Sequence, residues 1–477
     1  MKTRRVWPYV LPFPIDAEQR RLIWNVLQSK VGMSILMRMK MDARTYQQEL
    51  IKETPYSNKS IIEYLKRMVM AHILDQGMEP HLTDKKKRTW IKWYTPTQLG
   101  RWFILFLKQP ERIPPKTARK TIEELFQLYS SGIVEVCQKY GFSLDSFHHT
   151  LDQHYFREVL QKAPRTKPKV VVYGSVALDT YGSIEKLPSP EETVYVEERG
   201  RYPGGMGANV AVALSRLGVP VTFVGKIGSD SAGCLLLESL RQNAVDVSHI
   251  VLAELESLQT IILNDGAGKR WLFTLGSPNT AISLTSPDEV DWKPIAGSKI
   301  VYVGEVFLEV APALARFAKK RRKTVVYRPG TPYLRFGVEK LRSVLENVDM
   351  FILTHLGWHT LREASKAKME TPAHLLKNGP ATIIVTKGSE GCEVYTHEGS
   401  LAMPVATTLQ TKFKVVDPTG AGDSFSAGVM KGLLLGWELK KAVQYGQVAA
   451  TITCSRIGAT PAFPTAQEVE GVFQSFR

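Results

Sequence analysis

Apolar residues in the first third of the chain recur at helical spacing. Between residues 16 and 41 this pattern predicts one core-facing helix, bent at Gly32. A second helix is predicted over residues 43–53, since the residue before Pro55 avoids the helical conformation. Ser57 has the side chain of an N-cap, and apolar positions behind it predict a third helix. A short alternating strand, residues 90–94, follows a basic cluster.

After residue 169 the pattern changes to short apolar runs that alternate with helices. Runs that are apolar on both faces predict a parallel α/β sheet covered by helices on both sides. Residues 193–198, 258–263 and 270–275 alternate instead, which predicts the strands of a small β lid. The expected fold is therefore α/β, with a mostly parallel sheet and a small lid, preceded by a mainly helical domain. The apolar runs are KVVVYGS, KIVYVG, TVVYR, DMFILT and ATIIVT.

The chain of 477 residues is too long for one typical domain, and its charge is unevenly distributed. Residues 1–169 hold 30 Lys and Arg against 16 Asp and Glu, whereas the remainder holds 32 against 30. A basic excess confined to one part favours a polyanionic partner, nucleic acid before membrane. We predict an N-terminal domain (1–115), a helical extension suited to dimerisation (116–160), a basic linker (161–169) and a C-terminal domain (170–477).

The cysteines and the lengths of the apolar runs indicate the cellular location of the protein. Four cysteines lie far apart and show neither metal-binding spacing nor a disulfide framework. They are interpreted as reduced thiols of a cytoplasmic protein. No run is long and apolar enough to predict a membrane span.

Residues 414–436, KVVDPTGAGDSFSAGVMKGLLLG, predict a buried strand end at Val415 and Val416, a glycine turn and an amphipathic helix. Glycines at the start of a helix leave N–H groups uncovered, and with the helix dipole these favour a phosphoryl group. Asp423 in the first turn is placed to accept the proton of a substrate hydroxyl. The alternative is an ordinary loop entering a helix.

A second glycine-rich segment begins at Gly204 and Gly205 and continues to Asn209. Glycine allows a close approach of the backbone, and the amide side chain can bind a polyhydroxy ligand. Asp179, four residues beyond the first strand, is either a further hydroxyl-binding group or a turn residue.

GGMGAN, TKGSEG and DPTGAGD, in this order, resemble the signatures of the ribokinase-like (PfkB) family of sugar and nucleoside kinases. The resemblance covers about residues 169–477 and implies ATP as phosphoryl donor. It implies Asp423 as catalytic base, with an anion hole at Gly420, Ala421 and Gly422. Substrate hydroxyls would be bound by Asp179, Gly204, Gly205 and Asn209. ATP would lie along Thr386, Gly388, Gly391, Ala449, Ala450 and Gly458. More weakly, it implies that Asp417 and Thr419 hold a monovalent cation such as K⁺.

Two positions depart from the family pattern. The family usually carries Asn-x-x-Glu, which helps to organise Mg²⁺, where this chain has His355-Leu356-Gly357-Trp358. Tryptophan cannot replace a carboxylate near a cation, so altered metal use is expected. Arg328 follows a predicted strand and either binds an anionic substrate or is a surface residue.

Three helices followed by a basic hairpin resemble the winged helix-turn-helix of transcription regulators. The resemblance implies binding of double-stranded DNA as a homodimer. Ser57, Asn58, Lys59 and Ser60 would approach bases or phosphates, and Lys85, Lys86, Lys87 and Arg88 would contact phosphates. The alternative is a solvated basic hairpin used for protein contacts.

Two classes of function follow. The first is a kinase for a hydroxyl of a sugar, nucleoside or related polyol, tethered or regulated by the basic domain. The second is a transcription regulator whose kinase-like domain senses a ligand with little or no turnover. The glycine turn with its aspartate favours the first, and the lost carboxylate favours the second.

Overall fold

The computed structural model describes residues 17–82, 88–108, 113–141, 143–162, 167–265, 269–276, 280–366 and 368–474. The chain divides into two compact units, Met1–Phe147 and His148–Arg477. This division falls upstream of the linker predicted at residues 161–169. Within the described ranges, no helix has the length and apolar character needed to cross a membrane. The four cysteines are free thiols.

The N-terminal unit is built from helices and one three-stranded sheet, whose strand order is β1-β3-β2 with antiparallel pairing. Its core is a single apolar cluster that includes Ile35, Leu65 and Phe103. The elements are α1 (Ala17–Gln28), α2 (Lys30–Arg38), β1 (Thr45–Tyr46), α3 (Gln47–Glu53), α4 (Asn58–Met70), β2 (Leu74–Leu82), β3 (Arg88–Pro96), α5 (Gln98–Leu107) and α6 (Pro115–Tyr140).

Two of the helix predictions in this unit need correction. The first helix is two helices, because the Ser29 side chain accepts hydrogen bonds from the N–H groups of Val31 and Gly32 and caps a new helix. Gly32 does not mark the break. A Cβ there would lie 2.4 Å from the Val26 carbonyl oxygen, so glycine allows α1 and α2 to approach closely. The second helix begins at Gln47 rather than residue 43, since Thr45 and Tyr46 pair with β3.

The predicted N-cap of the third helix is confirmed. The Ser57 hydroxyl accepts a hydrogen bond from the Ser60 N–H at 3.2 Å. Ser57, Asn58 and Lys59 are exposed, and Ser60 is half-buried. Lys85, Lys86 and Lys87 lie outside the described residues, and Arg88 is described only as the first backbone position of β3.

The C-terminal unit holds an eight-stranded main sheet and smaller sheets. Its strands are β4 (Val170–Tyr173), β5 (Ala177–Ile184), β6 (Glu197–Gly204), β7 (Val221–Val224), β8 (Lys226–Gly228), β9 (Val251–Ala253), β10 (Glu256–Ser257), β11 (Gln259–Asp265), β12 (Arg270–Leu275), β13 (Thr280–Ala281), β14 (Ile300–Val303), β15 (Thr324–Tyr327), β16 (Met350–Thr354), β17 (Thr382–Thr386), β18 (Cys392–Thr396) and β19 (Gly399–Met403).

Helices cover both faces of this sheet. They are α7 (Leu144–Lys162, which the division between the units crosses), α8 (Met206–Arg216), α9 (Ser231–Gln242), α10 (Lys293–Gly297), α11 (Ala311–Lys320), α12 (Thr331–Leu334), α13 (Gly337–Leu345), α14 (His355–Ala364), α15 (Thr407–Lys412), α16 (Ala421–Leu434), α17 (Leu439–Cys454) and α18 (Ala466–Gln474).

The main sheet has the order β19-β18-β17-β16-β15-β14-β4-β7. Its strands from β7 to β17 pair in parallel, and β18 and β19 add an antiparallel edge. The strands β4 and β14 are buried at every position, as expected for a sheet covered on both faces. One apolar cluster lies on the α8, α9, α16 and α17 side and another on the α11, α13 and α14 side. The predicted parallel α/β architecture is therefore confirmed.

The predicted lid is a four-stranded sheet with the order β12-β11-β5-β6. Segments 258–263 and 270–275 form β11 and β12 as expected. The segment predicted at residues 193–198 is shifted, because β6 begins only at Glu197. The strand end predicted at Val415 and Val416 is wrong, since both residues are exposed and lie in irregular backbone before α16.

Candidate active site

A cleft of about 2000 Å³ opens at the carboxyl ends of the parallel strands. Ser175, Glu305 and Arg328 follow β4, β14 and β15, and His355 and Lys387 follow β16 and β17; all five line the cleft. Ligands of open α/β sheets bind at this edge, where the loops after the strands converge. The lid strands β5, β11 and β12 contribute to its lining as well.

The glycine turn before α16 lines this cleft. Gly420 has φ +80°, a left-handed conformation that favours glycine, and it is the N-cap of α16. The N–H groups of Gly420 and Gly422 make no hydrogen bond to any described residue, whereas the Ala421 N–H donates to the Pro418 carbonyl. Of the predicted anion hole, Gly420 and Gly422 therefore present available donors, and Ala421 is already used within the turn.

Asp423 lies in the first turn of α16 and is almost fully buried, yet it lines the cleft. Both of its carboxylate oxygens are engaged. Oδ1 accepts from Arg328 Nη1 at 2.5 Å, and Oδ2 accepts from Asn209 Nδ2 at 2.9 Å. The Oδ1 atom of Asn209 is buried and has no partner among the described residues. The double-glycine segment and Asp423 therefore meet in one cleft, as the sequence predicted.

Asp179 on β5 is the next carboxyl of this cleft. A Cβ at Gly204 would lie 1.9 Å from Asp179 Oδ2, so glycine at this position makes room for the carboxyl group. Gly205, with φ +89°, is the N-cap of α8 and lines the cleft, whereas Gly204 does not line it. Burial raises the pKa of Asp179 to about 7, and the neighbouring carboxylates of Glu305 and Asp423 add to that shift.

Glu305 belongs to the same group and was not predicted. It follows β14, lines the cleft and accepts a hydrogen bond from the Ser175 hydroxyl. Burial raises its pKa, and the Asp423 carboxylate contributes in the same direction. The signal was available in the sequence, because Glu305 stands two residues after the buried strand β14, as Ser175 does after β4.

Arg328 is not a surface residue. Its residue exposure is 9%, and it forms an ion pair with Asp423 whose two side chains are 11% and 7% exposed. Burial alone would lower the pKa of Arg328, but the Asp423 carboxylate outweighs it and the pKa is raised. Arg328 is the only buried cation among the described residues that line the cleft.

The opposite end of the cleft contains most of the residues assigned to ATP. Thr386, Gly388, Gly391 and Ala450 line it. Ala449 does not, because the next position along a helix points about 100° away. Ala449 is fully buried in the core, which corrects its expected place beside the ligand.

Asp417 and Thr419 are joined by hydrogen bonds, and the Thr419 hydroxyl also accepts one from Arg270 Nη1 at 2.7 Å. The N–H and hydroxyl of Thr419 both donate to Asp417 Oδ1, at 2.9 and 2.6 Å. The Gly458 N–H donates to Asp417 Oδ2 at 2.9 Å, so both carboxylate oxygens already accept hydrogen bonds. Neither Asp417 nor Gly458 lines the cleft. These contacts stabilise the turn, and they do not favour the predicted monovalent cation site.

The residues that replace Asn-x-x-Glu lie in the first turn of α14. Trp358 is buried in the core, and the Nε2 atoms of His355 and His359 lie 3.0 Å apart. Neither His355 nor Trp358 supplies a carboxylate. Among the described residues, no cluster of three or more His, Cys, Asp or Glu side chains could hold a metal ion. The residues here therefore do not fit a protein-held Mg²⁺ at this strand end.

Comparison with known proteins identifies relatives of the C-terminal part. The sequence matches the family described as pfkB family carbohydrate kinase over residues 167–466. A ribokinase from Lactococcus lactis subsp. lactis (strain IL1403) is 29% identical over 306 residues, which cover 63% of this chain and 96% of the relative. A nucleoside kinase from Methanocaldococcus jannaschii is 26% identical over 305 residues, which cover 63% and 95%. Fructokinase-1 from Oryza sativa subsp. japonica is 25% identical over 325 residues, which cover 64% and 98%.

Solved structures show the same fold. The Arabidopsis thaliana ribokinase complexed with ribose and ATP aligns with a TM-score of 0.55 and 23% identity, covering 64% of this chain and 99% of that one. The Burkholderia thailandensis nucleoside kinase in complex with inosine aligns with a TM-score of 0.55 and 19% identity, covering 64% and 96%.

Proposed function

Because the chain belongs to the pfkB family of carbohydrate kinases and is thus an ATP-dependent kinase acting on hydroxyl groups, we propose that its acceptor is a sugar, nucleoside or related polyol. The observation that carries this proposal is the meeting of Asp423, Asn209 and the two available amides of the glycine turn in one cleft.

In the proposed reaction the acceptor hydroxyl lies between Asp423 and the phosphate end of the cleft, which is the part lined by Gly420, Ala421 and Gly422. Its oxygen attacks the γ-phosphorus of ATP and forms the new P–O bond. The bond between the γ-phosphorus and the bridging oxygen breaks, and ADP leaves with the electron pair. The hydroxyl proton passes to Asp423. The N–H groups of Gly420 and Gly422, at the positive end of the α16 dipole, stabilise the transferring group.

Acceptor hydroxyls are proposed to bind Asp179 and Asn209, against the backbone of Gly204 and Gly205. Asn209 Oδ1 is a buried acceptor without a protein partner, and such a group gains free energy when a ligand hydroxyl donates to it. Asp179, with a pKa near 7, can accept or donate a hydrogen bond near neutral pH.

ATP is proposed to lie along Thr386, Gly388, Gly391 and Ala450, with Ala449 and Gly458 behind the lining. Mg²⁺, where it takes part, would arrive with the phosphates of the nucleotide, because the protein offers no carboxylate at His355 or Trp358. A monovalent cation at Asp417 is not required by these contacts.

The test is phosphate transfer from ATP across a panel of sugars and nucleosides, followed by mass spectrometry of the products. A phosphorylated acceptor in the wild type, absent with Asp423→Asn, supports the proposal. A compound that raises the melting temperature of the wild type but is never phosphorylated refutes turnover and favours the ligand-sensor alternative.

We also propose that the N-terminal unit is a winged helix-turn-helix domain that binds double-stranded DNA. The order of its elements supports this, because α3 and α4 are followed by the β2 and β3 hairpin, and β1 pairs with β3. In this proposal Asn58 and Lys59 approach bases or phosphates, and the segment from Lys85 to Arg88 contacts phosphates. The hydroxyls of Ser57 and Ser60 are mutually hydrogen-bonded at 2.8 Å and belong to the N-cap.

DNA binding by a homodimer can be tested by selecting sequences from a random duplex pool at two salt concentrations. Alanine at Lys85, Lys86 and Lys87 is expected to weaken binding to all duplexes and to reduce the salt dependence, as for phosphate contacts. Lys59→Ala is expected to change the selected sequence instead. If no duplex is retained at low salt, the basic hairpin serves another partner.

A further inference from the structure

Arg328 has donors that the protein does not use. Within the described residues its Nη1 donates to Asp423 Oδ1, and the buried Tyr302 hydroxyl lies near enough to influence its pKa. Arg328 lines the cleft, and neither Nη2 nor Nε is a fully buried nitrogen without a partner. A buried guanidinium with unused N–H groups facing a cleft is a preformed site for an anion, because its planar fork matches carboxylate and phosphate oxygens.

The position of the unused donors indicates which anion they meet. A Cβ built on Gly422 would lie 2.4 Å from Arg328 Nη2, so this nitrogen lies directly beside the glycine turn. The N–H of Gly422 is one of the two available amides at the start of α16. Arg328 therefore connects the carboxylate of Asp423 to the phosphate end of the cleft.

The acceptor end of the cleft is a poor place for an anion. Asp179 and Glu305 lie there together with Asp423, and even when Asp179 and Glu305 are protonated they add no positive charge that could hold an anion. The amides of the glycine turn favour one. The acceptor end thus favours a neutral, hydroxyl-bearing ligand, and the glycine turn favours the anionic phosphate of the donor.

We propose that Arg328 binds the terminal phosphate of ATP, with Nη2 and Nε directed to its oxygens while Nη1 keeps Asp423 in place. This inference rests on the proposed kinase function and adds a phosphate-binding residue to it. It gives the transferring group a fixed positive charge from the protein, which is the role of arginine in other phosphoryl transfers.

The test compares the affinities of ADP and of the non-hydrolysable analogue AMP-PNP by titration calorimetry, in Mg²⁺ and in EDTA. Wild-type protein is expected to prefer AMP-PNP. Arg328→Gln should remove this preference, with AMP-PNP affinity falling about 10- to 100-fold and ADP affinity little changed. Arg342→Gln, an exposed arginine of α13 outside the cleft, is the matched control and should keep the preference. Arg328→Lys, which retains the charge without the fork, is the second variant if glutamine prevents folding, and it should give an intermediate loss.

Each other result overturns the inference. An unchanged AMP-PNP to ADP ratio in Arg328→Gln, or no preference in the wild type, removes the phosphate contact. A variant that loses affinity only for acidic acceptors assigns Arg328 to the acceptor site. A variant with unchanged nucleotide binding but faster turnover shows that Arg328 restrains Asp423. The calorimetry requires no turnover, so an absence of phosphoryl transfer would refute the proposed function separately.

Discussion

Asp179→Asn tests whether burial keeps the Asp179 carboxyl group protonated in the folded protein, so that its ionisation lowers stability. In the unfolded chain the Asp179 carboxyl group is protonated only below about pH 3.8, whereas in the folded protein it stays protonated until about pH 7. Between these values the folded state holds a proton that the unfolded state has lost. The free energy of unfolding therefore falls as pH rises through this window, and asparagine removes this dependence.

The size of the effect follows from the pKa. Two pH units of this window lie between pH 5 and pH 7, and each corresponds to about 1.4 kcal/mol, so the variant should gain about 3 kcal/mol over the wild type between pH 5 and pH 8. The change with pH is the relevant quantity, because the altered hydrogen bonding of asparagine adds a term that does not depend on pH.

Urea unfolding followed by pulsed hydrogen exchange can measure this, since peptides of the C-terminal unit are followed separately from those of the N-terminal unit. Thr260→Val is the matched second variant. The Thr260 side chain lowers the pKa of Asp179, so its removal should raise that pKa and extend the pH-dependent loss of stability to higher pH. If Asp179→Asn and wild type keep a constant difference from pH 5 to pH 8, the carboxyl is not held in the protonated form and the reasoning fails.

Three further predictions concern single contacts. Asp423→Asn should lower kcat at least about 100-fold. It should also destabilise the C-terminal unit by about 3–5 kcal/mol, since Arg328 is left buried without its partner. In urea unfolding, the Asp423→Asn, Arg328→Gln double variant should recover part of that lost stability. Trp358→Glu should lower the free energy of unfolding by about 3–5 kcal/mol in thermal unfolding. It should not change the Mg²⁺ dependence of ATP binding, because this side chain faces the core. A gain in Mg²⁺ affinity would contradict that orientation. Ser57→Ala should lower the stability of the N-terminal unit by about 1 kcal/mol in hydrogen exchange, and an unchanged exchange rate in α4 would contradict the capping role.

The parallel sheet was predictable because buried strands are marked by continuous apolar runs of four to six residues. The runs at β4, β14, β15, β16 and β17 all became strands of the main sheet. The same rule failed at Val415 and Val416, where two valines are too few to distinguish a strand from an exposed loop. The helical spacing of apolar residues did not show the break at Ser29, because a serine side chain can cap a new helix without interrupting that spacing.

The glycine turns and their neighbouring polar residues could likewise be predicted. Gly205 and Gly420 are the N-caps of two helices at the cleft, α8 and α16. Glycine is needed at both positions because both have positive φ. Ala449 was assigned incorrectly because a sequence pattern does not give the rotation of a helix about its axis relative to a cleft.

By itself, the sequence determined the alternation of buried strands and helices in the C-terminal unit, the glycine turns, and the residue types gathered at one edge of the sheet. Only the tertiary structure decided that Arg328 and Asp423, 95 positions apart, share a buried ion pair, and that Trp358 faces the core and not the cleft. The physical reason is that local spacing controls backbone conformation. The partner and burial of a long side chain depend instead on which distant elements pack against it.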